Sequence, residues 1–452
     1  MFLLHLNRSQ HLALICRKIS SLEGLQWRGM SLAVTAIRTT ASAGAEPASP
    51  VNPDKEEFMP STMTFFPVDN GDMTLIRLDD GDKTAILVDI NVRQASGEED
   101  NEMCDVAKEL RKRLQRDDEG RPYVDVFLLS HPDEDHCRGL KKHFHLGPMD
   151  DYNFNPPNGE ELKIVIREMW SSPMVFRRAS KTHTLCDDAK AFNSEARRRV
   201  KLFREKGSVS DGDRILIICE DEDGKADDLD EILVRIDEVF HRVNGKNNDR
   251  ICMRVLGPLP AQDTEEMEDE LGKNHSSVIL QFSIKAGDKP DACLYLSGGD
   301  SEVFIWEKVW ERNKDKPHCL EYDLLLAPHH CSWHTLSHES WNGGKEDPQV
   351  SEDAKSALSQ ARSGAFIVSS SKPIKDDDSD PPCWGAKKEY LSILNGVNGE
   401  FFCTGEYPEE RRPEPLQFKI SKDGPQPPSK KSTSVEDLGV VAGSVSQPRI
   451  HG

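Results

Sequence analysis

A mixed α/β (α+β) domain is what this sequence predicts, and three observations carry the prediction. Short apolar runs rich in β-branched residues stop abruptly at polar residues, as strands do at a sheet edge. Between them lie stretches whose apolar residues recur at helical spacing. The polar residues at the run ends are spread from Asp72 to His330 and must converge in space to do chemistry, so one large domain is expected rather than two.

Taken in order, the first 45 residues carry Arg8, Arg17, Lys18, Arg28 and Arg38 against Glu23 alone. This basic leader has the composition of a mitochondrial-type transit peptide, or of text upstream of a later start, and Met59 and Met63 just before the first strand favour the second reading. Residues 1–60 are expected outside the fold, 61–420 as the domain, and the Pro/Ser/Lys-rich 421–452 as a disordered tail. ILVDIN is followed by a loop. A helix is expected around 102–116, from Met103, Val106, Ala107, Leu110 and Leu114 on one stripe. Next come the strand VDVFLL, the strand KIVIREMW, and an amphipathic helix over 187–206 with Phe192, Ala196, Val200 and Phe203 inward. RILIIC and the acidic loop from Glu220 to Glu231 close what is expected to be an insertion spanning about 150–245. RICMRVLG, SSVILQFSI and DACLYLS predict strands, VFIWEKVWERN a helix packed through Val303, Trp306, Val309 and Trp310, and YDLLLA a strand. A helix near 352–362 and the strand AFIVSSS follow.

The densest chemistry stands where VDVFLL ends. His131, Asp133, Asp135 and His136 fall within six positions, and imidazoles and carboxylates so crowded are satisfied together by divalent cations. LYLSGGDSE ends a strand at Asp300, and DLLLAPHHCSWH ends one at His329 and His330, so three strand ends carry the same kind of residue.

Together these motifs resemble the metallo-β-lactamase-fold hydrolases, whose first motif is His-x-His-x-Asp-His. They resemble still more the ComEC-like branch, which typically has Asp for the second His, as Asp133 stands here. That branch also implies a strand pair with Gly71-Asp72 between, here FFPVDNGDMTLI, a strand ending in Asp89, here ILVDIN, and Asn274-His275-Ser276-Ser277 before the Asp300 strand, over about 63–420. The chain departs from it at Cys331, Arg138 and Ser276, which stand where the family has Gly, Gly and Asn. The resemblance implies an αβ/βα sandwich and two divalent ions, Zn2+ or Mn2+. His131 and Asp133 would hold one, Asp135 and His136 the other, Asp300 would bridge, and one of His329 and His330, His330 by preference, would complete the ligand set of the second ion. Asp135 and Asp300 are the expected catalytic residues, while Asp72, Asp89 and Asn274 would orient ligands. The carboxylate of Asp133 in place of imidazole shifts the expected ion from zinc alone toward manganese or a mixed pair. His183, His275, His334 and His338, with Cys137 and Cys331, are expected outside the ligand set.

Phosphodiester or nucleic-acid hydrolysis by a metal-bridged hydroxide is the activity the resemblance implies. Hydrolysis of a small ester, lactone or cyclic nucleotide, or a metal-stabilised interaction protein in a multi-gene system, are the alternatives. A net charge of −21 argues against an extended, sequence-reading nucleic-acid footprint. Two basic clusters, Arg138 with Lys141 and Lys142, and Arg197, Arg198, Lys201 and Arg204 on the 187–206 helix, are expected to guide a phosphate-rich substrate. Eleven cysteines without a Cys-x-x-Cys pair suggest reduced thiols in a cytoplasm, and no run reaches the roughly 20 apolar residues of a membrane span.

Overall fold

The computed structural model describes residues 59–93, 103–220, 224, 226–264, 271–342 and 348–428. The expected leader and most of the expected tail lie outside the described residues. Two large mixed sheets organise the chain. The first contains β1 (Thr62–Phe65), β2 (Thr74–Arg77), β3 (Ala85–Val88), β4 (Pro122–Leu128), β5 (Ile164–Ser171), β6 (Arg214–Ile218) and β7 (Leu233–Val234). The second contains β8 (Val239–Phe240), β9 (Ile251–Gly257), β10 (Ile279–Ala286), β11 (Lys289–Ser297), β12 (Tyr322–Leu326), β13 (Ala361–Ser369) and β14 (Glu400–Cys403). The chain then returns to the first sheet as β15 (Leu416–Ser421) and β16 (Gly424–Gln426), carrying it past the boundary expected at 420.

Spatial order in the first sheet is β16-β15-β1-β2-β3-β4-β5-β6-β7, and in the second it follows the chain from β8 to β14. Each sheet changes character at one strand. β3 is antiparallel to β2 and parallel to β4; β11 is antiparallel to β10 and parallel to β12. Past those strands the pairing is parallel, which buries both faces and explains the unbroken apolar runs: every residue of β4 is buried.

The sheets face one another across a shared core. Side-chain alternation shows it: Leu324, Leu326, Phe366 and Val368 join the core that holds β1 to β4, while Leu325, Ala365 and Ile367 point to the opposite side. Phe65 of β1 meets Tyr295 of β11 edge to face at 5.9 Å between centroids. On the far side of the second sheet, the helices Val303–Asn313 and Trp384–Asn395 supply Trp306, Val309 and Tyr390. Phe192 of the helix Asp187–Lys206 packs on Phe127 of β4 at 5.8 Å.

Two expected helices end differently. The helix foreseen over 102–116 is confined to Val106–Arg111, because Asp105 caps its start by accepting from the Lys108 N–H and Gln115–Arg116 pairs instead with Pro122 and Tyr123. The turn between is closed by Asp117 and by Gly120 at φ +80°, a left-handed position that suits glycine. The helix near 352–362 ends at Leu358, since Ala361 already pairs with Tyr322 in β13. The segment expected as an insertion contributes β5, β6 and β7, which extend the first sheet in parallel. No helix among the described residues is long and apolar enough to cross a membrane.

Candidate metal centre

The polar residues gather where the two sheets change from antiparallel to parallel, at the ends of β3, β4, β11 and β12. Beyond β4 the chain makes one short helix, Glu134–Cys137, capped by Asp133 Oδ1 accepting from the Glu134 N–H at 2.9 Å. Backbone bonds lace this turn to its neighbours: Ile90 N–H donates to His136 O at 2.9 Å, Val92 N–H to Arg138 O at 2.9 Å, and Asp72 N–H to Asp135 O at 3.3 Å. The close approach demands Gly71, at φ +139°, where a Cβ would lie 2.6 Å from Asp135 O and 2.2 Å from Asn91 Nδ2. Gly298 and Gly299 do the same at β11, with a Cβ on Gly298 falling 2.6 Å from the Trp306 ring.

Two donor groups result. One ligand atom from each of Asp72, His136, Asp300 and His330 lies within 4.8 Å of the others, and one from each of His131, Asp133 and Asp300 likewise. Asp300 belongs to both. Its Oδ1 is 3.1 Å from His136 Nε2 and 3.4 Å from His330 Nε2, and its Oδ2 is 3.5 Å from His131 Nε2. The two Nε2 atoms of His136 and His330 are 3.3 Å apart, a separation that suits two ligands of one ion.

Neighbouring groups hold these ligands in place. Asp89 Oδ2 sits 2.8 Å from His136 Nδ1, which leaves Nε2 directed at Asp300. Ser130 donates to the same carboxylate twice, N–H to Oδ1 at 2.7 Å and Oγ–H to Oδ2 at 2.6 Å. Burial raises the Asp89 carboxyl, yet a group on which three donors converge is a carboxylate, and that is the state assigned to it. The Gly71 N–H donates to His330 Nδ1 at 3.2 Å, and the Asp300 N–H to Ser277 Oγ at 3.1 Å. His329, His330 and Cys331 all have left-handed backbones, at φ 51°, 54° and 67°, a strained run of the kind that persists where surroundings over-determine it.

The residues fit a divalent ion on three counts. Asp72 Oδ1, Asp300 Oδ1 and His131 Nε2 are buried without a hydrogen-bond partner, although burying such atoms unmatched is costly. Burial disfavours charge on Asp300, but His136, His330, His131 and His329 around it hold its carboxyl well below the usual range. Burial likewise opposes protonation of His136, yet Asp300 and Asp89 hold it well above the usual histidine range. Charges of both signs thus press on one buried point, and mixed imidazole and carboxylate donors suit zinc or manganese.

No protein-family model and no curated protein matches this chain.

Several expected residues take different places. Asp72, foreseen as an orienting group, stands among the donors. Asp135, foreseen as a ligand, lies outside both donor groups with a side chain 29% exposed and Oδ2 3.5 Å from His330 Nε2. Burial opposes its ionisation, but His330 and His136 hold the Asp135 carboxyl well below its usual range. His329 is set back, with Nε2 3.9 Å from Asp300 Oδ2 and Nδ1 3.8 Å from Glu302. Asn274 donates to Glu302 at 2.9 Å, and Ser276 to Gly272 O, so the residue that holds Asp300 is Ser277.

The basic clusters are also redistributed. Arg198 is engaged by Glu195 and Asp213, and Arg204 by Asp228 of the acidic loop. Arg197 and Lys201 line a cavity of about 670 Å³ together with Phe176, Val200 and Ile217, and no donor residue of the metal centre lines it. Arg138 reaches Glu134 at 3.2 Å and Asn91 at 3.3 Å. Lys141 and Lys142 are exposed. Glu302 and Lys273 were missed in the sequence, the second because one lysine in a polar loop carries no signal of its own. Its ammonium forms an ion pair with Asp133 Oδ2.

Proposed function

We propose that this chain is a metal-dependent hydrolase of phosphodiesters, built on a metallo-β-lactamase αβ/βα sandwich of the ComEC-like kind. The sheet-on-sheet core and the strand-end motifs support the fold assignment. The observation that carries the chemistry is Asp300: one buried carboxylate shared by two donor groups, with an oxygen that no protein group satisfies. His136, His330, Asp72 and Asp300 would hold one ion, and His131, Asp133 and Asp300 form the second group. A zinc or manganese ion in such a set supplies Lewis acidity toward a phosphoryl oxygen and lowers the pKa of water.

The chain's own groups do the rest. Asp89 fixes the His136 tautomer with Nε2 free, and Ser277 anchors Asp300 through its backbone. Asp135, partly open to solvent, stands at the rim of the donor set with Oδ2 3.5 Å from His330 Nε2. His329, with a side chain 16% exposed, is the imidazole left facing substrate.

Full-length protein reconstituted with manganese or zinc is expected to keep at least one ion per chain through gel filtration. It is expected to hydrolyse bis(p-nitrophenyl) phosphate or single-stranded DNA in preference to esters and lactones. Asp300→Asn should lower activity by roughly a hundredfold or more, since it removes a donor shared by both groups. Retention of less than one ion per chain, or hydrolysis untouched by Asp300→Asn, would sink the reading.

A further inference from the structure

The two donor groups are not equivalent. In the group of Asp72, His136, Asp300 and His330, Asp72 Oδ1 and Asp300 Oδ1 are buried with no hydrogen-bond partner. In the group of His131, Asp133 and Asp300, His131 Nε2 is likewise unpartnered, but both oxygens of Asp133, the only carboxylate this group does not share, are already engaged. Oδ1 accepts from the Glu134 N–H at 2.9 Å, and Oδ2 pairs with the Lys273 ammonium. We propose that Lys273 is a built-in cation at this second position, so that the chain holds one divalent ion tightly, at Asp72, His136, Asp300 and His330, and disfavours another at His131 and Asp133. This rests on the reading of the centre as a metal site.

The lysine is delivered by a tied loop. Ser276 N–H donates to Lys273 O at 3.1 Å, Ser276 Oγ to Gly272 O at 3.1 Å, and Gly272 N–H to His275 Nδ1 at 3.3 Å. The side chain is 23% exposed, and Nζ also lies 3.5 Å from His183 Nε2. It is neither a swinging surface lysine nor sealed in the core, so solvent screens its charge only in part. A divalent ion entering beside Asp133 would meet a carboxylate already neutralised and a positive charge within a few ångströms. That ion must displace the ammonium or bind against it.

The chemistry at the two positions differs accordingly. An ammonium offers three hydrogen-bond donors and one charge, but no coordination sites and no Lewis acidity. At His131 and Asp133 it would meet an anionic substrate oxygen by hydrogen bonding, leaving activation of water to the group at His136 and His330. The centre then resembles a mixed pair, one metal cation near Asp300 and one protein cation on Asp133.

The test is metal stoichiometry, measured apart from activity. Full-length protein and its Lys273→Met and Lys273→Arg variants are loaded with manganese or zinc, gel-filtered, and assayed for bound metal, with binding followed by calorimetry. The expected result is about one ion per chain for the unaltered protein and for Lys273→Arg. Lys273→Met is expected to hold about two, with the weaker ion bound roughly tenfold more tightly or better. Two ions in all three proteins, or no change of the weaker ion in Lys273→Met, overturns the proposal and leaves the metal reading intact. Less than one ion in the unaltered protein overturns both. Should Lys273→Met lose its native circular dichroism, Lys273→Gln, which keeps a polar tip without charge, gives the same comparison.

Discussion

At Asp89, one carboxylate takes three donors that an amide could not satisfy. Two of its bonds come from Ser130 and one from His136 Nδ1, all between 2.6 and 2.8 Å. Asp89→Asn keeps the shape but offers one acceptor oxygen and turns an N–H₂ toward groups that are donors. His136 then loses the hydrogen bond that directs Nε2 inward, so metal affinity is expected to fall about 10- to 100-fold, read by calorimetric titration with manganese or zinc. An affinity within a factor of two of the unaltered protein would show that Asp89 serves only the backbone turn. The importance of Asp89 is visible in the sequence because the residue ends an apolar run. Asp72 carries the same expectation as Asp89, to orient ligands, and the backbone bond from Asp72 to Asp135 O is what brings it among the donors. Lys273 is less legible still, because its partner Asp133 lies in a separate motif and nothing local links the two.

The helix Asp187–Lys206 matches its expected span because local signals agree. Cys186 accepts from the Ala189 N–H at its start, and Gly207 at φ 70° stops it. Its charged residues could not be read in the same way. Arg199 is 1% exposed, paired to Glu195 at 2.7 Å and donating to Arg214 O and Ile166 O, whereas Arg204 meets Asp228 at the surface. Periodicity gives the face of a helix but not which long cation finds carbonyl oxygens beneath it. Glu195→Ala leaves Arg199 charged and buried without its anion, while Arg198 keeps Asp213, so a loss of roughly 3–5 kcal/mol is expected in urea unfolding. Arg204→Ala, which breaks an exposed pair, is expected to cost less than about 1 kcal/mol. Equal costs for the two substitutions would mean that Glu195 does not hold the buried guanidinium.

Over the whole molecule, the sheets are joined by their core and also by the centre between their edges. Asp72, His131, Asp133 and His136 come from the first sheet's connections, Asp300 and His330 from the second's. The strands themselves were legible from apolar runs, but the pairing was not, since parallel partners such as β4 and β5 are set by long-range register that composition does not encode. An ion bound by both sets of residues would stabilise the folded chain only, because the unfolded chain scatters the donors far apart. At free ion a hundred times its dissociation constant, that linkage is worth about 2.7 kcal/mol. For a chain of this size the corresponding drop in melting midpoint on adding chelator is roughly 3–4 °C. Asp300→Asn, which weakens both donor groups, should melt lower than the loaded protein and respond little to the chelator. If chelator leaves the midpoint of the unaltered protein where it was, no ion bridges the two sheets, and the buried oxygens of Asp72 and Asp300 must be satisfied in another way.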